Sequence, residues 1–130
     1  MLRNDDETVT PCILIIDYDS MMRRILRNFY ELHGFYVLEA ETDREAMSLI
    51  NSKSIHLITL EIQTSGGVEF DLLRLLRRTS DIPIIIITTD SNDASKLYSL
   101  ELGADEFIVK PVNYEELVAR TKALLRRILP

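Results

Sequence analysis

Short apolar runs alternate with amphipathic segments from Cys12 onward, and this alternation most restricts the folds open to the chain. Strands are predicted at 13–16, 35–38, 55–62, 84–87 and 107–109. The run Ile84-Ile85-Ile86-Ile87 is apolar on both faces, which is typical of a central strand in a parallel sheet covered by helices. An amphipathic segment follows each run, so the sequence indicates five consecutive strand–helix units.

Five such units predict an α/β fold: a five-stranded parallel sheet, doubly wound and flavodoxin-like, with the βα unit repeated five times. Ser20 is the predicted N-cap of the first helix, and Gly34 and Gly103 are predicted to end two helices. The last inward-facing positions of the first and last helices are predicted at Leu32 and Ile128.

Length, charge and cysteine content narrow the class of protein. The 130 residues predict one domain over 12–128, after a disordered lead at 1–11 and before a linker beginning at 129–130. Cys12 is the single cysteine, which excludes an intrachain disulfide and favours a reducing, cytoplasmic location. No apolar run approaches membrane-spanning length, and a net charge of -6 makes the domain itself a poor nucleic-acid binder.

Polar side chains stand at the carboxyl ends of the predicted strands, where parallel sheets place their functional crevices. They are Asp17, Tyr18, Asp19, Glu61, Thr88, Thr89, Asp90 and Lys110. Carboxylates beside a lysine and a threonine can hold a divalent cation and a phosphoryl group. The signal is weak by itself, because an aspartate at a strand end often only caps the next helix. No glycine-rich phosphate loop accompanies these residues.

Several motifs resemble the receiver domain of bacterial two-component response regulators. They are ILIID at 13–17, MRR at 22–24, PIIIIT at 83–88, LGAD at 102–105 and KP at 110–111. The resemblance covers residues 12–130. It implies that Asp17 is the first of two acids that hold Mg²⁺, and that Thr88 is the switch hydroxyl that contacts the phosphoryl group. It further implies that Phe107 is the switch aromatic, that Lys110 is the phosphate-pairing lysine, and that the peptide bond before Pro111 is cis.

Two substitutions depart from the family pattern. Tyr18 stands where the family has its second metal-binding acid, and Glu61 stands where it has the phosphoacceptor aspartate. Asp19 is close by but does not occupy the missing ligand's position. The loop after Glu61 also departs, with Ser65 and Glu69 where proline and glycine are usual. We therefore expect a phosphorylation-independent domain, no enzymatic activity and no resident cofactor. Asp17 is left as the residual ligand should Mg²⁺ bind at all.

Two interpretations of Glu61 remain open at this point. Its fixed negative charge lies nearer to Lys110 and Thr88 than an aspartate would, and could mimic an aspartyl phosphate. Alternatively, Glu61 and Lys110 form a plain ion pair in an inactive site with no switching bias.

The C-terminal half resembles the OmpR/PhoB subfamily of transcription factors through ELGADEF at 101–107, EELVAR at 115–120 and ALLRR at 123–127. That resemblance implies a homodimer through the fourth helix, fifth strand and fifth helix, and DNA binding by a domain outside this chain. The charged residues at matching positions are Lys96, Glu101, Asp105, Glu106, Glu116, Arg120 and Arg127. Two alternatives are a single-domain protein-interaction adaptor and a still phosphorylatable receiver. The residues leave open whether a histidine kinase acts on the chain.

Overall fold

The computed structural model describes residues 10–62 and 70–129. Strands and helices alternate strictly through them. The strands are β1 (Cys12–Ile16), β2 (Tyr36–Ala40), β3 (Leu57–Glu61), β4 (Ile84–Thr88) and β5 (Glu106–Val109). The helices are α1 (Ser20–Leu32), α2 (Asp43–Ser52), α3 (Asp71–Thr79), α4 (Asp93–Leu102) and α5 (Tyr114–Leu125). Within these residues, no helix is long and apolar enough to cross a membrane.

The five strands form one parallel sheet in the order β2-β1-β3-β4-β5, which confirms the predicted fold class. The central strands β1, β3 and β4 are the most apolar because both of their faces are covered. Alternate residues of β4 enter opposite cores: Ile84 and Ile86 face one, and Ile85 and Ile87 the other.

Each face of the sheet carries its own apolar core. On one face, the strands pack with buried residues of α2 and α3, including Ala46 and Leu73. On the other face, they pack with α1 and α5, including Leu26 and Leu117. The hydroxyls of Tyr30 and Thr121 meet at 2.8 Å between α1 and α5, so this buried polar pair satisfies itself where the two helices touch.

Some predicted boundaries and faces are wrong. The N-cap of α1 is Asp19 rather than Ser20, because the Asp19 carboxylate reaches the free backbone N–H of Met21 at 3.0 Å. Leu32 and Ile128 are 79% and 51% exposed, so neither extends its helix's buried stripe. Gly34 and Gly103 do follow helix ends in left-handed conformations, with φ of 87° and 117°.

Part of the predicted organisation lies outside the described residues. That part includes residues 1–9 of the proposed lead at 1–11, the positions of Ser65 and Glu69, and residue 130. Pro11 is described, and its carbonyl accepts a hydrogen bond from the Tyr36 N–H at 3.0 Å.

Candidate functional site

The carboxyl ends of the parallel strands gather four of the predicted pocket residues at one edge of the sheet. Asp17 follows β1, Glu61 and Thr88 end β3 and β4, and Lys110 follows β5. Because β3 lies between β1 and β4, Glu61 is flanked by the strands that carry the other polar groups.

Lys110 is the cation of this pocket and lies between two carboxylates. Its Nζ is 3.3 Å from Oε2 of Glu61 and 4.0 Å from Oδ2 of Asp17. The three side chains are 17%, 9% and 3% exposed, respectively, so solvent screens their charges only in part. The arrangement is a partly buried ion pair in which Glu61 is the nearer partner.

Asp17 is fixed by its surroundings on several sides. Its Oδ1 accepts the backbone N–H of Asp19 at 2.8 Å, and its main-chain carbonyl accepts Nη1 of Arg23 at 2.6 Å. Burial raises the pKa of the Asp17 carboxyl, the hydrogen bond from Asp19 opposes that rise, and the charge of Glu61 adds to it. The negative charge of Asp17 therefore lowers the stability of the folded state relative to the protonated carboxyl.

Tyr18 and Asp19 lie at the mouth of the pocket but contribute little to it. The Tyr18 side chain is 59% exposed. The Asp19 carboxylate serves as the N-cap of α1, so it is already used by the backbone N–H of Met21. The structure thus brings Asp17, Glu61 and Lys110 together and leaves Tyr18 and Asp19 at the rim.

The pocket offers a divalent cation few free carboxylate oxygens. One oxygen of Asp17 accepts a backbone N–H, the Glu61 carboxylate is paired with Lys110, and Tyr18 supplies no acid. In the ranges 10–62 and 70–129, no three His, Cys, Asp or Glu side chains form a group suited to metal binding.

Thr88 uses its hydroxyl within the backbone framework. The hydroxyl donates to the Ile62 carbonyl at 2.6 Å and accepts the Asp90 N–H at 3.1 Å, and the residue is fully buried. Phe107 is half-buried against the core that contains α2 and α3. The Lys110–Pro111 peptide bond is cis, the geometry that the resemblance implies.

Comparison with known proteins assigns this arrangement to a family. A family model described as "Response regulator receiver domain" matches residues 13–122. The chain belongs to the response regulator receiver domain family. The PhoB phosphate regulon transcriptional regulatory protein of Pseudomonas aeruginosa is 40% identical over 121 residues, covering 91% of this receiver and 53% of PhoB. The transcriptional regulatory protein CpxR of Escherichia coli is 36% identical over 115 residues, covering 88% and 49%.

Solved structures show the same fold. A two-component response regulator from Clostridium difficile has a TM-score of 0.85 and 37% identity, covering 92% of this receiver and 99% of that chain. A Francisella receiver domain has a TM-score of 0.83 and 26% identity, covering 90% and 98%. The receiver described here spans about half the length of PhoB and CpxR.

The residues predicted to form a dimer face lie around α4, β5 and α5 of the receiver, but several are paired within the chain. Arg120 binds both Glu106 and Glu116 at 2.9 Å. Asp105 binds Arg77 at 3.3 Å and accepts the Ile84 N–H at 2.9 Å. In the described part of the chain, the exposed side chains of Lys96, Glu101 and Arg127 have no hydrogen-bond or ion-pair partner.

A groove of about 400 Å³ runs along the same face of the receiver. Its floor is β5, and its walls are formed by α4 and α5, with Leu100, Val109 and Pro111 among the lining residues. Lys96 lies on one wall and Arg120 on the other. Six of the eleven lining residues are polar or charged, so the groove is a mainly polar surface with a smaller apolar part.

Arg23 is a site residue that the sequence analysis did not identify. It donates to the Asp17 carbonyl and also binds Glu39 of β2 at 3.0 Å. Glu39 in turn binds Arg27. Burial acts to raise the pKa of the Glu39 carboxyl, but the hydrogen bonds and charges of Arg27 and Arg23 together lower it. The MRR motif contained the signal, but the partner in β2 is visible only once the strands are placed.

Proposed function

We propose that this receiver works without phosphorylation, as the non-enzymatic, dimerising regulatory module of a cytoplasmic DNA-binding transcriptional regulator. The contact between Lys110 and Glu61 carries the first part of the proposal. Lys110 is already paired at 3.3 Å with a fixed carboxylate at the position where the family accepts a phosphoryl group.

Two features support the loss of phosphoryl transfer. Glu61 places its carboxylate one methylene further along its side chain than an aspartate would, and displacement of a reacting atom on this scale lowers reactivity sharply. Tyr18 provides a neutral phenol where the family has a metal-binding acid. We accordingly expect no resident cofactor, and at most weak Mg²⁺ binding through Asp17.

The hydroxyl of Thr88 favours the plain ion pair over the phosphate mimic. In the family, the corresponding hydroxyl contacts the phosphoryl group, whereas Thr88 donates to the Ile62 carbonyl. The Glu61 carboxylate therefore forms an ion pair with Lys110, while the Thr88 hydroxyl stays hydrogen-bonded to the backbone. On this proposal the pocket is a stable structural ion pair, and assembly does not depend on a charge added there.

The regulatory part of the proposal rests on the relatives. PhoB and CpxR are transcriptional regulatory proteins, and this receiver matches about half of each. We extend their role to this protein, with DNA contacted by a domain outside the described chain. Dimerisation through the groove of α4, β5 and α5 would bring two such domains together for paired half-sites.

Intact-mass spectrometry tests the loss of phosphorylation. The receiver is incubated with a small-molecule phosphodonor and Mg²⁺, and we expect no phosphoryl adduct on the wild type. The double variant Tyr18→Asp/Glu61→Asp is the matched control, because it restores both family acids and should acquire the adduct. A stable wild-type adduct that disappears in Glu61→Gln would overturn the proposal.

A further inference from the structure

The helix α4 has little apolar packing to hold it in place. Of its ten residues, all of them described, only Ser99 is buried. By contrast, α3 buries three leucines and α5 buries five residues. Apolar burial is the main source of attachment for a surface helix, so the position of α4 must depend more heavily on polar contacts.

Tyr98, near the middle of α4, meets two side chains from the beginning of α3. Its ring stands edge-on to the ring of Phe70, with centroids 4.9 Å apart. The Arg74 guanidinium lies 5.6 Å from the Tyr98 ring centroid and donates a hydrogen bond to its hydroxyl. Asp71 binds Arg74 at 2.9 Å and orients it from its own helix. Tyr98 thus has an aromatic contact and a charged hydrogen bond with the same helix.

A second arginine of α3 holds the other end of α4. Arg77 follows Arg74 by three residues, so the two project from the same side of α3. Its Nε donates to the carbonyl of Gly103, the C-cap of α4, at 2.9 Å, and its Nη1 donates to the Ser80 carbonyl at 3.0 Å. Arg77 also binds Asp105, the residue just before β5. Two arginines one turn apart therefore hold α4 at its middle and at its end.

We propose that Arg74 and Arg77 form a polar latch, with Tyr98 and Gly103 as its receiving groups, that fixes the position of α4 on α3. The latch stands in for the apolar packing that α4 lacks. Its consequence for assembly rests on the proposed function: α4 carries Lys96, so the latch positions one wall of the groove without any phosphoryl group. Arg74, Arg77 and Tyr98 are positioning residues in this scheme.

Hydrogen–deuterium exchange of the backbone amides tests the latch through a double-mutant cycle of Arg74→Met and Tyr98→Phe. The phenylalanine keeps the ring contact with Phe70 and removes only the hydroxyl. Either single variant should speed exchange in α4 by about three- to tenfold, the effect of losing one charge-assisted hydrogen bond. The double variant should be no faster than Arg74→Met alone, because that substitution already removes the bond to the Tyr98 hydroxyl. Amides of β1 should exchange as in the wild type.

Arg78→Met is the matched control. Arg78 is an exposed arginine of the same helix, with no side-chain partner in the part of the chain that the structure describes, so its replacement should leave α4 unchanged. The latch is overturned if exchange in α4 stays at the wild-type rate, if the two substitutions add independently, or if β1 accelerates equally. Sedimentation velocity on the same variants should show weaker self-association. A monomeric wild type would contradict the proposed dimer, while the exchange rates would still decide the latch.

Discussion

At the scale of single residues, the pocket contains more negative than positive charge. Two carboxylates share one ammonium, and the nearer carboxylate, Glu61, takes the closer contact. Asp17 is the more buried of the two acids and has the more distant partner, so it bears the greater cost of desolvation. Removing its charge should therefore relieve the folded state, provided that its hydrogen bond with Asp19 is kept.

We expect Asp17→Asn to stabilise the receiver at pH 7 by about 0.5–2 kcal/mol, the usual range for a single stabilising substitution. Burial raises the pKa of Asp17, so the folded state holds this proton more tightly than the unfolded state does. Stability attributable to Asp17 therefore falls as the pH rises from about 4, the ordinary value of the unfolded side chain, and the loss is complete above the folded-state pKa.

Urea denaturation at pH 7 and at pH 4 measures this difference, which should shrink at the lower pH. Asp19→Asn is the matched control, since asparagine caps a helix as well as aspartate does and Asp19 is exposed. A loss of stability in Asp17→Asn at pH 7 would show that attraction to Lys110 outweighs the cost of burial.

At the scale of elements, the turn between α4 and β5 is the tightest junction in the latch. Gly103 adopts a φ of 117°, and a side-chain carbon there would lie 2.9 Å from Nε of Arg77. Gly34, which follows α1, has a φ of 87° but open space around its Cα hydrogen. Substituting each glycine therefore distinguishes the energetic cost of the left-handed backbone, present at both positions, from the cost of steric crowding, present only at Gly103.

Replacing each glycine by alanine should give unequal losses. Gly34→Ala should cost about 1 kcal/mol, the penalty of the left-handed conformation for a residue with a Cβ. Gly103→Ala should cost about 1–3 kcal/mol more, because it also displaces Arg77 in a packed site. Thermal unfolding of the two variants and the wild type measures the difference, and equal losses would show that Arg77 moves away freely.

Most of the strands and helices could be predicted from the sequence, but some of their ends and faces could not. Period and capping signals predicted all five strands and the order of the elements, because each depends on residues close together in the chain. The predicted stripe failed at Leu32, which is exposed as the last residue of α1, and at Ile128, which lies beyond the end of α5. The cap moved from Ser20 to Asp19 because a carboxylate one residue earlier reaches the same turn.

The site residues also differ in how far they could be predicted from local sequence. Asp17, Glu61 and Lys110 were predicted to meet because parallel strands end at one edge, and they do. The contacts of Arg23 with Glu39, and of Arg74 with Tyr98, join residues 16 and 24 positions apart. Side chains of this length reach partners in several directions, so neither pairing follows from local pattern.

At the scale of the whole molecule, the proposed dimer face brings like and unlike charges close together. Arg120 is held by Glu106 and Glu116 in its own chain. An intermolecular contact must therefore either share this cation or use Lys96, Glu101 and Arg127, which have no partner among the described residues. Exposed ion pairs contribute about 0.2–1 kcal/mol each, so we expect charge to set the register of the face more than its affinity.

Reversing Arg120 to Glu should weaken the dimer, because it places three acids together and a two-fold interface counts the change twice. Adding Glu106→Arg should partly restore association. Sedimentation velocity over a concentration series measures both. The control is Lys122→Glu, since positions two apart on α5 point in different directions and Lys122 lies away from the groove. A monomeric wild type, or undiminished association of Arg120→Glu, would contradict the proposed face.

The buried pair of Tyr30 and Thr121 gives the receiver a built-in optical indicator. The chain contains five tyrosines and no tryptophan, so its near-ultraviolet absorbance belongs mainly to phenols. Burial raises the pKa of Tyr30 well above that of a free phenol. Above about pH 10, an unfolded Tyr30 would lose a proton that the folded one keeps, so alkali favours unfolding. In an alkaline titration, the phenolate signal of Tyr30 should appear abruptly, at the pH where α1 and α5 separate, and Tyr30→Phe should abolish that step.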